Sequence, residues 1–123
     1  MILLDSNIII YLRDPAVSDS LIDKLRNERL DTCNIVISEV LGFKGLGYED
    51  TRYFSDLFHS MKNHSFDENV TREVINVRKH TSIQLPDAII AGTAIANRLT
   101  LWTHNTEDFL KVKGLQIFDP ITV

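Results

Sequence analysis

The sequence predicts an α/β layer protein with a mostly parallel central sheet, and three observations carry that expectation. Short, wholly apolar runs alternate with amphipathic segments along nearly the whole chain. The runs are apolar at consecutive rather than alternate positions, as strands buried on both faces require. Polar residues with chemical reach, Asp5 and Asn105 among them, stand where such runs end, at the edge where open parallel sheets bind ligands.

Taken in order, Met1 to Leu4 reads as a buried strand, Asp5-Ser6-Asn7 as a polar turn, and Ile8 to Leu12 as the start of a helix. Between Asp19 and Leu30, the apolar Leu21, Ile22, Leu25 and Leu30 interleave with Asp23, Lys24, Arg26 and Glu28, the pattern of an amphipathic surface helix. Cys33 to Ile37 reads as a second buried strand. Ser38-Glu39-Val40-Leu41 then opens a helical segment that Gly42, Gly45 and Gly47 limit. Tyr53, Phe54, Leu57, Phe58 and Met61 recur at helical spacing, suited to a core or to a partner surface. Asn69 to His80 supplies a further helix, and Pro86-Asp87 starts one rich in small residues, able to lie very close to a sheet. Leu99 to Thr103 is a short strand, Thr106 to Leu110 a short helix, and Leu115 to Phe118 a last strand. About five strands flanked by helices result.

The 123 residues, 44% hydrophobic and 24% charged, fit one domain spanning 1–123. A lone cysteine, Cys33, has no internal disulfide partner, and its apolar setting makes it a buried hydrophobe rather than a nucleophile. The apolar start is broken by Asp5 and Asn7 and has no basic segment before it, so it is not a signal peptide. No run approaches the ~20 apolar residues of a membrane span, and a cytoplasmic protein is expected. The net charge of −4 argues against a protein that grips nucleic acid with its whole surface. Nucleic-acid chemistry would need metal ions to invert the local potential.

That makes the placing of the carboxylates decisive. Asp5 follows the first strand, Glu39 the second, Asp87 opens the small-residue helix, and Asn105 with Asp108 follows the strand ending at Thr103. Four distant segments thus deliver side chains to one edge of the sheet. Acids gathered there repel one another unless a divalent cation offsets them, and oxygen donors select Mg²⁺ or Mn²⁺ over zinc. Such ions activate water and neutralise phosphate charge, so phosphodiester hydrolysis suits the set. Plainer roles stand beside each residue: Asp5 as a helix cap, and Glu39, Asp87 and Asp108 as acids early in helices. The four histidines, His59, His64, His80 and His104, show no ligand spacing, although His104 is placed to line the site.

At these residues the chain resembles the PIN domain, specifically the VapC group of toxins. Ile2-Leu3-Leu4-Asp5-Ser6-Asn7 looks like the family's first motif and Ile37-Ser38-Glu39-Val40 its second. Leu85-Pro86-Asp87-Ala88 is close to the third and Trp102-Thr103-His104-Asn105-Thr106-Glu107-Asp108-Phe109 resembles the fourth. The likeness runs in order along essentially the whole chain. It implies a PIN-like three-layer sandwich and Mg²⁺-dependent endoribonuclease activity on a structured cellular RNA, with Asp5, Glu39, Asp87 and Asn105 catalytic. The metal would be held by Asp5, Glu39, Asp87 and Asp108. It also implies a cognate antitoxin covering the acidic groove, and a homodimer or larger assembly. The Tyr53 to Met61 stripe and the helix opened by Glu39 are the expected contact surfaces. Two positions depart from the pattern: Asn105 stands where a fourth acid is common, leaving Asn105 or Asp108 to fill that place, and Gly92 replaces the more usual Ala.

Rival readings fit less well. A haloacid dehalogenase-type phosphatase needs a second Asp where Asn7 stands, and a receiver domain needs a Lys and a phosphoacceptor Asp that the strand ends lack. A PIN domain serving only as an RNA-binding or assembly module is the stronger rival, yet it usually lacks acids that this chain retains. A housekeeping RNA-processing nuclease usually carries extra domains.

Overall fold

A computed structural model describes residues 1–121, so the last two residues of the expected domain lie outside the described residues. The first apolar run forms β1 (Ile2–Leu4), every residue of it buried. Asp5 then caps α1 (Ser6–Tyr11), accepting from the Ser6 amide, so the expected polar turn is the first turn of the helix itself. The amphipathic segment is α2 (Ser18–Leu25), shorter than its pattern suggests. It stops where Asn27 takes the left-handed conformation at φ 76°.

The chain therefore enters β2 (Leu30–Cys33) three residues earlier than expected, and Ile35-Val36-Ile37 belongs to α3 (Asn34–Leu41). A short apolar run bordered by polar residues fits either a buried strand or a buried helix face. Gly42 ends α3, and α4 (Tyr48–His59) follows. A strand absent from the sequence reading, β3 (Lys62–His64), comes next; its Lys-Asn-His composition carries no apolar signal because it lies at the sheet edge. Asp67 caps α5 (Glu68–His80), and α6 (Leu85–Ala96), β4 (Thr100–Trp102), α7 (Thr106–Phe109) and β5 (Ile117–Phe118) complete the order.

The five strands lie in the order β3-β2-β1-β4-β5, and every pairing is parallel. The winding reverses at β1, whose neighbours are β2 on one side and β4 on the other. The crevice beyond its carboxyl end is therefore a topological switch point, where such sheets bind ligands. Leu3 pairs with Asp31 and with Leu101, and Leu4 with Trp102, so β1 is the apolar spine of the sheet.

The stripe on α4 supplies core: Phe54 and Phe58 are 2% and 7% exposed. Polar replacements there would open the interior rather than spare the fold, which removes them as simple surface contacts. The closest approach of the small-residue helix is to α5 rather than to the sheet. A Cβ at Gly92 would lie 2.7 Å from Val74 Cγ2 and 3.0 Å from the Val74 backbone nitrogen. Glycine at this position is thus a packing requirement of this chain, not the minor change its motif suggests. Among the described residues, no helix is long and apolar enough to cross a membrane.

Candidate active site

Asp5 sits at the carboxyl end of the central strand and is 4% exposed. Its backbone amide donates to the Trp102 carbonyl at 2.9 Å, locking the ends of β1 and β4 together. Its carboxylate accepts from the Ser6 amide at 2.8 Å on one oxygen and from the Thr103 hydroxyl at 2.7 Å on the other. Burial pushes its pKa above the ordinary value, and these hydrogen bonds only partly offset the effect. Helix cap and buried site acid are one residue here, so the two readings of Asp5 do not compete.

Thr103 is the residue that sequence reasoning passed over. It is wholly buried, donates to Asp5 and accepts from the Asn105 amide at 3.0 Å, coupling the loop after β4 to the acid after β1. A hydroxyl closing an otherwise apolar strand was the available signal. Asn7 braces the same junction, its side-chain oxygen accepting from the His104 amide at 3.3 Å.

Glu39 does not directly follow β2; it lies in the second turn of α3, and Ser38 is no cap, since its hydroxyl donates to the Asn34 carbonyl. Burial raises the pKa of Glu39, and the charges of Asp5 and Asp87 raise it further against a hydrogen bond from Ser6. Glu39 Oε1 is buried with no hydrogen-bond partner. Asp87 is the third residue of α6, where a helix dipole favours an anion. Its pKa is nonetheless raised, by burial first and then by Asp5 and Asp108.

The structure thus brings Asp5, Glu39 and Asp87 within electrostatic reach of one another at the switch-point crevice, and Asp108 within reach of Asp87. Asn105 stands beside Asp108, its amide donating to Asp108 Oδ2 at 3.2 Å, so the two residues proposed for the fourth position form one unit. His104 lies on the rim but is engaged elsewhere: Nδ1 bonds Asp119 at 2.9 Å and the ring meets Tyr11 edge-on. Among the described residues, no three His, Cys, Asp or Glu side chains converge closely enough to ligate one ion. Cys33 is buried and its thiol pKa is pushed up by that burial, in keeping with a packing role.

An all-parallel sheet with mutually repelling carboxylates at its switch point defines a class: an acid-centred α/β protein. Comparison with known proteins narrows the class. The PIN domain family profile matches residues 2–115, and the chain belongs to that family, whose members are nucleases that generally use divalent metals. No curated protein sequence matches it.

Solved structures similar to this one include a toxin-antitoxin complex from Klebsiella pneumoniae, with a TM-score of 0.82, 25% identity and all of both chains covered. VapBC-1 from nontypeable Haemophilus influenzae is 27% identical with a TM-score of 0.79, covering 98% of each chain. DNA-bound VapBC from Salmonella typhimurium shares the fold at a TM-score of 0.86 and 19% identity, over 98% of this chain and 100% of that one.

Proposed function

We propose that this chain is a Mg²⁺-dependent endoribonuclease, the toxin of a type II toxin–antitoxin pair acting in the cytoplasm. The observation that carries the reading is the orphaned Glu39 Oε1 facing Asp5 and Asp87. A buried carboxylate oxygen without a donor, beside like charges, is unfavourable unless a cation or a water completes it.

The donor set suits a hard divalent ion. Every candidate ligand offers oxygen, and neutralisation of the cluster would relieve the repulsion that adds to burial in raising these pKa values. Asp5, Glu39 and Asp87 would hold it in part through bound water, since among the described residues no three of these side chains converge closely enough to ligate one ion directly, with Asp108 from the Asn105 pair contributing at the rim. When bound, the ion supplies activation of water and neutralisation of phosphate charge. The chain's own residues do the rest. Thr103 and the Ser6 amide fix the Asp5 carboxylate in one orientation, and Glu39 would accept a proton or hydrogen bond from a water admitted to its buried Oε1. Asn105 orients Asp108 and offers its amide to the substrate.

A partner protein is part of the reading. The Klebsiella and Haemophilus structures are of toxin–antitoxin and VapBC assemblies, and this chain is matched across its full length. The exposed Phe43 and Tyr48, flanking the α3–α4 turn, offer an apolar surface for the antitoxin or a second copy, in place of Phe54 and Phe58.

Cleavage of total cellular RNA by the purified protein tests the proposal, run with Mg²⁺, with EDTA, and with Asp5→Asn. Cutting abolished by EDTA and by the substitution is the expected result. Cutting that survives the substitution would refute the assigned site. A folded protein that binds RNA without cutting it would instead identify a non-catalytic PIN module.

A further inference from the structure

Next to the acidic crevice lies a cavity of about 450 Å³ whose charge is opposite. It is lined by His80 and Thr81 at the end of α5 and by Lys111, Val112 and Lys113 after α7. Arg78 and Lys79 are exposed on the same final turn of α5. Bases at a helix carboxyl end are favoured by the dipole, which accounts for residues 78–80. It does not account for Lys111 and Lys113, which arrive from a separate segment. In a chain of net charge −4, this convergence of bases stands out. Among the described residues, Arg78, Lys79 and Lys113 make no ion pair, as Lys44, Arg52, Lys62 and Arg98 elsewhere also make none, and Lys111 is paired with Asp108.

Lys111 links the cavity to the crevice. Lys111 Nζ lies 3.8 Å from Asp108 Oδ1, and Asp108 acts electrostatically on Asp87. The α5–α6 turn connects His80 to Asp87 within a few residues. His80 Nδ1 donates to the Asn76 carbonyl at 2.8 Å, which leaves Nε2 as the ring nitrogen for a ligand.

We propose that this basic cavity holds the sugar-phosphate backbone of the RNA beside the cut, with Lys111 and Lys113 as the phosphate contacts. The inference rests on the nuclease reading and adds to it where the substrate strand runs. An acidic centre repels a polyanion everywhere except at its metal, so a neighbouring set of bases, of which only Lys111 is paired with an acid, is what draws the flanking strand in. The contacts go to phosphates and position the strand without reading its sequence.

The test is steady-state cleavage of RNA with Mg²⁺ by wild type, by Lys113→Gln, and by Lys111→Gln with Lys113→Gln. Binding of a labelled single-stranded RNA is measured across a salt series in an Asp5→Asn background. Expected are a KM raised about tenfold in the double variant, a kcat nearly unchanged, and a salt dependence shallower by about 0.7 per lysine removed. Lysine-to-arginine exchange at both positions should retain wild-type KM.

An unchanged KM and salt slope, in a double variant that melts like wild type, would overturn the inference while leaving the nuclease reading intact. So would a fall in kcat at constant KM, which would mean that the lysines act on Asp108 instead. Failure of wild type to bind or cut RNA would remove both readings together.

Discussion

Two buried aspartates, one within β2 and one directly after the neighbouring β1, have opposite fates. Asp31, on β2, is fully buried, yet Arg29 grips both its oxygens at 3.0 and 2.7 Å and His64 Nε2 lies 2.6 Å from Oδ2. Burial pushes its pKa up, but the arginine and the histidine outweigh that effect and hold it below the ordinary value. Asp5, at the end of β1, has only neutral donors, faces other acids, and is held above its ordinary value. One carboxylate is compensated and structural. The other is left without a compensating charge, and that contrast is what marks Asp5 as a candidate site residue where burial alone does not.

Charge removal at the two positions should break this comparison most visibly. Asp5→Asn should lower RNA cleavage by more than the roughly 10–100-fold that loss of a supporting group costs, with the metal-free melting temperature kept or raised. Asp31→Asn should cost about 1–3 kcal/mol of stability, kept modest because Arg29 is half exposed and can be hydrated, while the folded fraction still cuts RNA. Urea titration alongside a cleavage assay checks both. Equal effects of the two substitutions on stability would erase the distinction.

Thr103→Val removes the donor to Asp5 Oδ2 while keeping shape, and should reduce kcat roughly 10–100-fold with little change in KM. Mg²⁺ in hundredfold excess over its Kd should stabilise wild type by about 2.7 kcal/mol, or roughly 10 °C in Tm. It should do little for Asp5→Asn, and an equal shift in both proteins would place the ion elsewhere.

Titration sharpens the same contrast at smaller scale. Asp5, Glu39 and Asp87 bind protons more tightly folded than unfolded, so their contribution is fully present below their ordinary values of 3.8 to 4.5. It is lost as pH rises through their higher folded pKa values. Asp31 has the opposite sign: its contribution is present above 3.8 and lost as pH falls through its lower folded pKa. The metal-free protein should therefore be most stable at mildly acidic pH, and Mg²⁺ should move that maximum toward neutrality. The single, buried Trp102 offers a fluorescence probe for the measurement.

Much of this was legible in residue order, and the misses share a cause. Asp5 and Asp87 announce themselves because a charge directly follows an apolar run or a proline at a helix start. Asp31 does not, since a charged residue inside a strand looks like a loop until its partners are known. One partner, Arg29, is two positions away, and the other, His64, is 33. The phase error at Cys33–Ile37 arose because five apolar-rich residues carry too little periodicity to separate strand from helix. The edge strand β3 is recognisable only by its pairing with β2, Cys33 opposite His64. Local pattern reveals elements, whereas compensation between charges is a property of the folded neighbourhood.

The placing of β4 beside β1 has a consequence in time. A ribosome makes the chain from its amino end, and β1, with Asp5 directly after it, appears before the other four strands. Its hydrogen-bonded partner Thr103 follows 98 residues later. Until then β1 lacks one of its two neighbours, the Asp5 carboxylate lacks one of its donors, and the loop bearing Asn105 and Asp108 does not exist. A nascent chain that has not yet reached Thr103 therefore has no assembled crevice, and the acids there come together only after β4 has taken its place beside β1.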